Sequence, residues 1–196
     1  MSSNVTLGDR PLSIDDVVHV ATQKRNLSLS ENENFKNKIT KSHLFLDALL
    51  KKNEEVYGVT TGYGDSCTTV VDSGLIEKLP AHLTRYHGCG MGDYFSEEES
   101  RAIQISRVAS LVQGPSAVSY ELIQFFTEQI KLGISPKIPK EGSVGASGDL
   151  TPLSYMAATA LGEGEVYYQG KVHETKNLFK QLGITPPGLK PKEGLA

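Results

Sequence analysis

Several stretches of this chain carry apolar residues at spacings of three and four, with only short alternating runs between them. The pattern therefore predicts a mainly α-helical architecture with small β elements. Ser13, with Asp16 three positions on, makes a capping box ahead of Val17, Val18 and Val20 and predicts a short first helix. Asn26-Leu-Ser-Leu-Ser30 alternates and predicts a short strand. A helix is expected from about Glu33 to Lys52, carrying Phe35, Ile39, Leu44, Leu46 and Leu49. Tyr57-Gly-Val-Thr-Thr-Gly-Tyr-Gly64 breaks that pattern, and its alternation of Tyr57, Val59, Thr61 and Tyr63 with small residues reads as an extended segment. Its glycine face would admit a ligand or another stretch of chain. A third helix is expected over about Gly74 to Tyr86, where Ile76, Leu79 and Leu83 form one row and His87 extends it by four residues.

Ser96 and Glu99 make a second capping box, and Glu97, Glu98 and Glu99 suit the positive end of a helix. The apolar row of that helix is Ala102, Ile105, Val108 or Ala109, and Val112, and Gly114-Pro115 stops it. Ala117 to Leu132 is apolar on most sides, which predicts a central, buried helix with Gly133 just past its end. A loop from Ser135 to Gly148 then leads to a helix over about Thr151 to Leu161, with Pro152 in its first turn. Glu165 to His173 reads as a hairpin turning at Gln169-Gly170, and the Pro-rich tail of residues 185–196 reads as extended.

Composition narrows the functional classes. Twenty basic and 23 acidic residues are dispersed along the chain, for a net charge of −3, and no basic tract could follow a phosphate backbone. Nucleic acid is therefore not an expected partner. Cys67 and Cys89 form no CxxC pair or His/Cys cluster, so a metal site is not expected and a reducing compartment is. No apolar run approaches the roughly 18 residues of a membrane span, and the first ten residues have no secretory pattern. These features lead to the expectation of a soluble, cytoplasmic protein.

Gly142-Ser-Val-Gly-Ala-Ser-Gly-Asp-Leu150 is the most informative stretch. A glycine-rich loop before a helix is ordinarily just a flexible connection. A phosphate cradle fits poorly, because no Lys follows the last Gly and the GxGxxG spacing is absent. Backbone cyclisation fits at each position. The amide nitrogen of Gly148 would attack the carbonyl carbon of Ala146 across a tight turn, an approach that a residue without a side chain permits. Ser147 supplies the hydroxyl whose loss leaves an exocyclic methylidene, so Ala146, Ser147 and Gly148 together would form a methylidene-imidazolone (MIO).

Gly145 to Leu150, followed by Pro152-Leu153-Ser154, resembles the signature of the histidine, phenylalanine and tyrosine ammonia-lyases and the related aminomutases. The resemblance continues through Leu161-Gly-Glu-Gly-Glu165 and upstream through Tyr57-Gly-Val-Thr-Thr-Gly62, and covers most of the chain from about residue 55. It implies the N-terminal globular part of the ammonia-lyase (fumarase/aspartase-like) fold. Residues 1–196 would form a single N-terminal domain of a longer homotetramer, with 185–196 leading into a central helical domain. The chemistry implied is loss of ammonia from an aromatic L-amino acid to give an arylacrylate, with the MIO as electrophile and no metal or nucleotide.

By this resemblance Tyr57 is the base that removes the substrate's β-proton, and Gly64 stands beside the substrate. A phenol in water ionises only near about pH 10, so such a base needs hydrogen-bond donors or positive charge at its oxygen. Thr60 stands where the family usually has Asn. His87, read from spacing alone as a core histidine, matches the position that selects the substrate ring. A neutral imidazole there can hydrogen-bond a phenol or an imidazole but leaves a polar group unpaired against a phenyl, a mismatch of roughly 1–3 kcal/mol. That ranks tyrosine first, histidine second and phenylalanine third. The alternative reading is a non-catalytic structural or partner-binding module whose glycine loop stays uncyclised.

Overall fold

β1 (Val5–Leu7) pairs in parallel with β2 (Leu27–Leu29), and α1 (Ile14–Ala21) makes the crossover between them. These coordinates are a computed structural model that describes residues 4–142, 145 and 147–196. The capping box at α1 forms as the sequence predicts: the Ser13 hydroxyl accepts from the Asp16 amide at 3.1 Å, and Asp16 accepts from the Ser13 amide at 2.9 Å. Arg10 grips the same carboxylate through both Nη atoms at 2.7 and 3.0 Å. Those donors, Arg10 foremost, hold Asp16 well below the usual carboxylate range.

α2 (Glu33–Lys51) buries Phe35, Ile39 and Leu46, while Leu44 of the expected row faces outward. The segment from Tyr57 to Thr60 is a run of turns rather than extended chain, and Thr61 makes a single bridge to Val70. The expected third helix begins later than its apolar row does: residues 73–78 are turns, and α3 spans Leu79–His87. Pro80 explains the boundary, because a residue without an amide hydrogen is tolerated only in a helix's first turn.

β3 (Met91–Tyr94) precedes α4 (Glu97–Leu111), whose capping box between Ser96 and Glu99 also forms. α5 (Tyr120–Lys131) starts three residues after the expected point because Ser119 caps it. Two short strands that the loop pattern had hidden follow, β4 (Ser135–Pro136) and β5 (Pro139–Glu141), the latter antiparallel to β3. α6 (Leu150–Ala160) comes next, then the expected hairpin, β6 (Glu165–Tyr168) and β7 (Lys171–Glu174). Its turn residues Gln169 and Gly170 both have positive φ, at 52° and 72°, as a two-residue hairpin turn demands. β4 adds to the hairpin as a third strand. α7 (Thr175–Leu182), which the sequence reading passed over, closes a small second core of Ile134, Val166, Leu178 and Phe179.

The main core lies among α1, α2, α4, α5, α6 and the β1–β2 pair, with Ile105, Val108, Ile123 and Ala160 wholly buried. Burying one such aliphatic side chain contributes about 1.5–3 kcal/mol. Gln104 donates to Gln129 at 3.3 Å, and Gln129 donates to Thr159 at 3.1 Å, so a buried polar ladder joins α4, α5 and α6. Arg101, 2% exposed, donates to the carbonyls of Ala21 and Gly133, which end α1 and follow α5, and pairs with Glu97 at 2.6 Å. Its charge sits where helix C-termini are electronegative. Arg101→Ala should therefore lower unfolding free energy in urea by about 3–5 kcal/mol, since it strands a carboxylate and two buried carbonyls. A loss within experimental error of zero would show that these contacts carry no net stability.

Candidate active site

Ser147, Gly148 and Asp149 lie exposed at the N-terminus of α6, while Ala146, the remaining member of the expected ring, lies outside the described residues. The Ser147 hydroxyl donates to Asp149 Oδ1 at 3.2 Å. Asp149 occupies the N-cap of α6 yet makes no capping hydrogen bond with its side chain, so the carboxylate faces Ser147 instead of the helix amides. The start of α6 is anchored by Thr151, whose hydroxyl donates to the Gly142 carbonyl at 2.9 Å. An added Cβ at Gly148 would meet nothing within 4 Å, so the turn is unobstructed on that side.

His87 ends α3 and turns into the same space. A cavity of about 160 Å³ is walled by His87, Arg107, Ser147, Asp149, Leu153 and Leu195, among others. His87 packs against Tyr63 at 6.2 Å and Tyr86 at 5.4 Å between ring centroids, and its partial burial lowers its pKa below the ordinary imidazole value. α3 is held against the end of α6 by Arg85, which donates to both oxygens of Glu163 at 3.1 and 2.6 Å. A larger open hollow near Gly8, Asn32 and Lys38 contains none of the expected site residues.

Tyr57 stands outside the cavity wall and is 52% exposed. Its oxygen accepts the Gly64 amide at 2.9 Å, a backbone donor from the other end of the same loop. Thr60, which stands where the family usually has Asn, is hydrogen-bonded within the same loop. Its hydroxyl accepts from the Val56 amide at 2.7 Å and donates to the Glu54 carbonyl at 3.3 Å, tying the loop's entry to itself. The close approach expected at the loop's glycines is made by the chain itself. Gly58, at φ 67°, leaves no room for a Cβ beside Leu195 Cδ2. Leu195 also borders the cavity, so one side chain links the Tyr57 loop to the space between His87 and Ser147.

The tail that brings Leu195 there is not extended throughout. Residues 191–195 form a turn, the Gly188 amide donates to the Ala160 carbonyl at 2.9 Å, and Glu193 is buried. Gly194 lies so close to Pro80 that a Cβ would meet its backbone at 2.6 Å.

The model of the aromatic amino acid lyase family matches residues 12–196. The chain belongs to the aromatic amino acid lyase family. It is similar to the histidine ammonia-lyase of Shouchella clausii, with 38% identity over 98% of this chain and 38% of that protein. It is also similar to the MIO-dependent tyrosine 2,3-aminomutase of Streptomyces globisporus, with 37% identity over 98% of this chain and 35% of that protein. Among solved structures, the ergothionase of Treponema denticola superposes with a TM-score of 0.91 at 28% identity, covering 98% of this chain and 38% of that one. The chain thus spans somewhat over a third of the length of the relatives it matches, and the ammonia-lyase fold expected from the sequence is the fold observed.

Membership gives the short segments around the cavity a common context. The sequence reading missed Arg107, Glu193 and the Arg85–Glu163 pair. Arg107 was detectable only as a charge on a helix with an apolar row, which is ordinarily a solvated position; Glu193 looked like one more charge in a polar tail. No helix among the described residues is long and apolar enough to cross a membrane, and no group of three or more potential metal-ligating side chains occurs among them.

The depressed His87 pKa has a testable consequence. The unfolded chain binds that proton first as pH falls, so His87 contributes stability above about pH 6.5 that is lost on descending through its folded-state value. Urea unfolding between pH 8 and 5 should show a shallower acid loss of stability in His87→Leu than in the parent chain. Parallel pH profiles would mean that His87 is not desolvated.

Proposed function

We propose that the protein carrying this chain eliminates ammonia from an aromatic L-amino acid, using an MIO group formed from Ala146, Ser147 and Gly148. The observation that carries the reading is the shared cavity, in which the Ser147 turn and His87 face one another although 60 residues separate them. The described members of the tripeptide fit the group: Ser147 is exposed, and Gly148 is open on the side where a Cβ would be. Ring closure balances without any oxidant. The Gly148 nitrogen bonds to the Ala146 carbonyl carbon, and that oxygen leaves as water with the amide hydrogens of Gly148 and Ser147. The Ser147 hydroxyl then leaves as a second water with the Cα hydrogen, giving the methylidene.

When formed, the group supplies an electrophilic carbon that no ordinary side chain provides. The chain's own residues do the rest of the work assigned here. Tyr57, as the phenolate, takes the β-proton onto its oxygen as ammonia leaves, and the Gly64 amide is already positioned there as a donor to stabilise the negative charge. Gly64, with no side chain, also leaves the space beside that oxygen open to substrate. His87, whose partial burial favours the neutral imidazole, presents a ring nitrogen to a polar aromatic ring.

A polar-ring substrate follows, with tyrosine first and histidine second as in the sequence reading. The histidine ammonia-lyase and tyrosine aminomutase relatives support that pair over phenylalanine without ordering its members. A single unit over residues 1–196, a homotetramer and a cytoplasmic setting belong to the same proposal, and neither a metal nor a nucleotide enters it.

Two experiments test the reading in the intact protein. Ser147→Ala should keep the mass of the second water and lose nearly all turnover, because a methyl group cannot dehydrate. Tyr57→Phe should keep the ring by intact mass while turnover falls by about 10²–10⁴-fold. Near-parental ammonia release from Ser147→Ala would remove the proposed electrophile, and an active Tyr57→Phe would place the base elsewhere. In the second experiment, His87→Phe should shift kcat/KM from tyrosine and histidine towards phenylalanine by about tenfold or more. An unchanged ranking of the three amino acids would reduce His87 to a packing residue.

A further inference from the structure

His87 is the last residue of α3, and the chain around it is tied to α6 and its following turn on both sides. Two residues before it, Arg85 donates to both oxygens of Glu163, which lies just beyond the end of α6. Three residues after it, the Gly90 amide donates to the Tyr155 hydroxyl at 3.1 Å, and Tyr155 is half-buried in the middle of α6. Between these ties the Cys89 amide donates to the His87 carbonyl at 2.8 Å, which leaves little slack between His87 and Gly90. Gly90 also meets the strand that leads into the glycine loop. A Cβ at Gly90 would collide with Pro139 of β5, and one at Gly142, which opens the loop, would come within 2.9 Å of the Gly90 Cα. Next to this crossing Met91 pairs with Glu141 across the β3–β5 ladder. Backbones pass so closely only where side chains are absent. Gly90 is therefore the point at which the segment after His87, the strand before the Ser147 turn and the helix after that turn come together.

We propose that Tyr155 is a positioning residue for substrate choice. By holding Gly90 on α6 it fixes His87 at a set distance from the Ser147 turn, with the Arg85–Glu163 pair as the tie on the other side. This rests on the reading of His87 as ring selector and adds to it the side chain that sets where the selector stands. Tyr155 lies outside the cavity wall, acts through the backbone and takes no part in bonding changes. A selector discriminates only while its nitrogen stays within hydrogen-bond distance and angle of the ring substituent, because the interaction weakens steeply outside them. The Ser147 turn leads directly into α6, and the same helix carries Tyr155. One rigid element thus sets the spacing between the electrophile and the selector.

The experiment compares, in the intact protein, kcat/KM for the better of tyrosine and histidine with kcat/KM for phenylalanine. Tyr155→Phe removes one oxygen and keeps the ring. It should melt cooperatively, show the same two-water mass loss as the parent, and lower that ratio by about three- to tenfold, as loss of one hydrogen bond would. Glu163→Gln should lower the ratio in the same direction, and reversing the pair with Arg85→Glu and Glu163→Arg should restore it. A parental ratio in Tyr155→Phe would overturn the inference. So would an equal loss of kcat/KM for all three amino acids, the mark of a merely structural role. Should Tyr155→Phe fail to fold, a parental ratio in Glu163→Gln would overturn it instead. His87→Phe, measured in parallel, separates the two readings. A ranking that shifts in His87→Phe but not in Tyr155→Phe defeats this inference alone, whereas one that shifts in neither defeats the reading of His87 and this inference together.

Discussion

Glu193 is 4% exposed, and each of its carboxylate oxygens is taken by a main-chain amide: Ser119 at 2.8 Å and Lys190 at 2.7 Å. The first bond reaches the cap of the central helix α5, and the second closes the turn in which Glu193 itself lies. A buried carboxylate is tolerated only when its lone pairs are satisfied in this way. The clasp fixes the course of residues 188–196 across the molecule, with Gly188 joined to Ala160, Gly194 against Pro80 and Leu195 against Gly58. Through those contacts it brings the end of α6, the start of α3 and the Tyr57 loop to one place.

Arg101 plays the corresponding part on the other side of the core. Its guanidinium meets the end of α1 and the carbonyl just beyond α5, so three helices are held in register by charge-assisted bonds rather than by apolar packing alone. The Gln104–Gln129–Thr159 ladder extends that polar seam to α6. α4 thus carries Arg101 in the packed interior and, less than two turns on, Arg107 at the cavity. The loops around Tyr57 and Ser147, by contrast, are held chiefly by hydrogen bonds of the backbone and of single side chains.

The site's electrostatics follow from this arrangement. Partial burial lowers the His87 pKa and so favours its neutral form, and the Gly64 amide, rather than a charged side chain, meets the Tyr57 oxygen. The positive charge near Ser147 comes from a helix that approaches the loop from the core. The features that distinguish the site are therefore contacts between segments, which explains why short motifs and long-range packing both bear on it.

The sequence by itself determined the helices with strong start signals and marked the segments proposed to carry chemistry. Ser13 and Ser96 marked helix starts because capping is a local hydrogen-bond pattern within four residues, and Gln169-Gly170 marked a hairpin because only certain residues accept its positive φ values. Tyr57, His87 and the Gly-Ala-Ser-Gly loop were legible as motifs for the same reason, since residue type and spacing are written in one stretch of chain. Tertiary structure decided what depends on partners distant in sequence. β1, β3, β4 and β5 are two to four residues long and exist only because another strand lies beside them. α7 acquires its role by covering Ile134 and Val166, and the turn of the tail is set by the buried carboxylate of Glu193. The pairings of Gly64 with Tyr57 and of Arg85 with Glu163 are likewise products of the fold. Periodicity records which face of a segment is apolar, but it carries no information about which distant polar group that segment will meet.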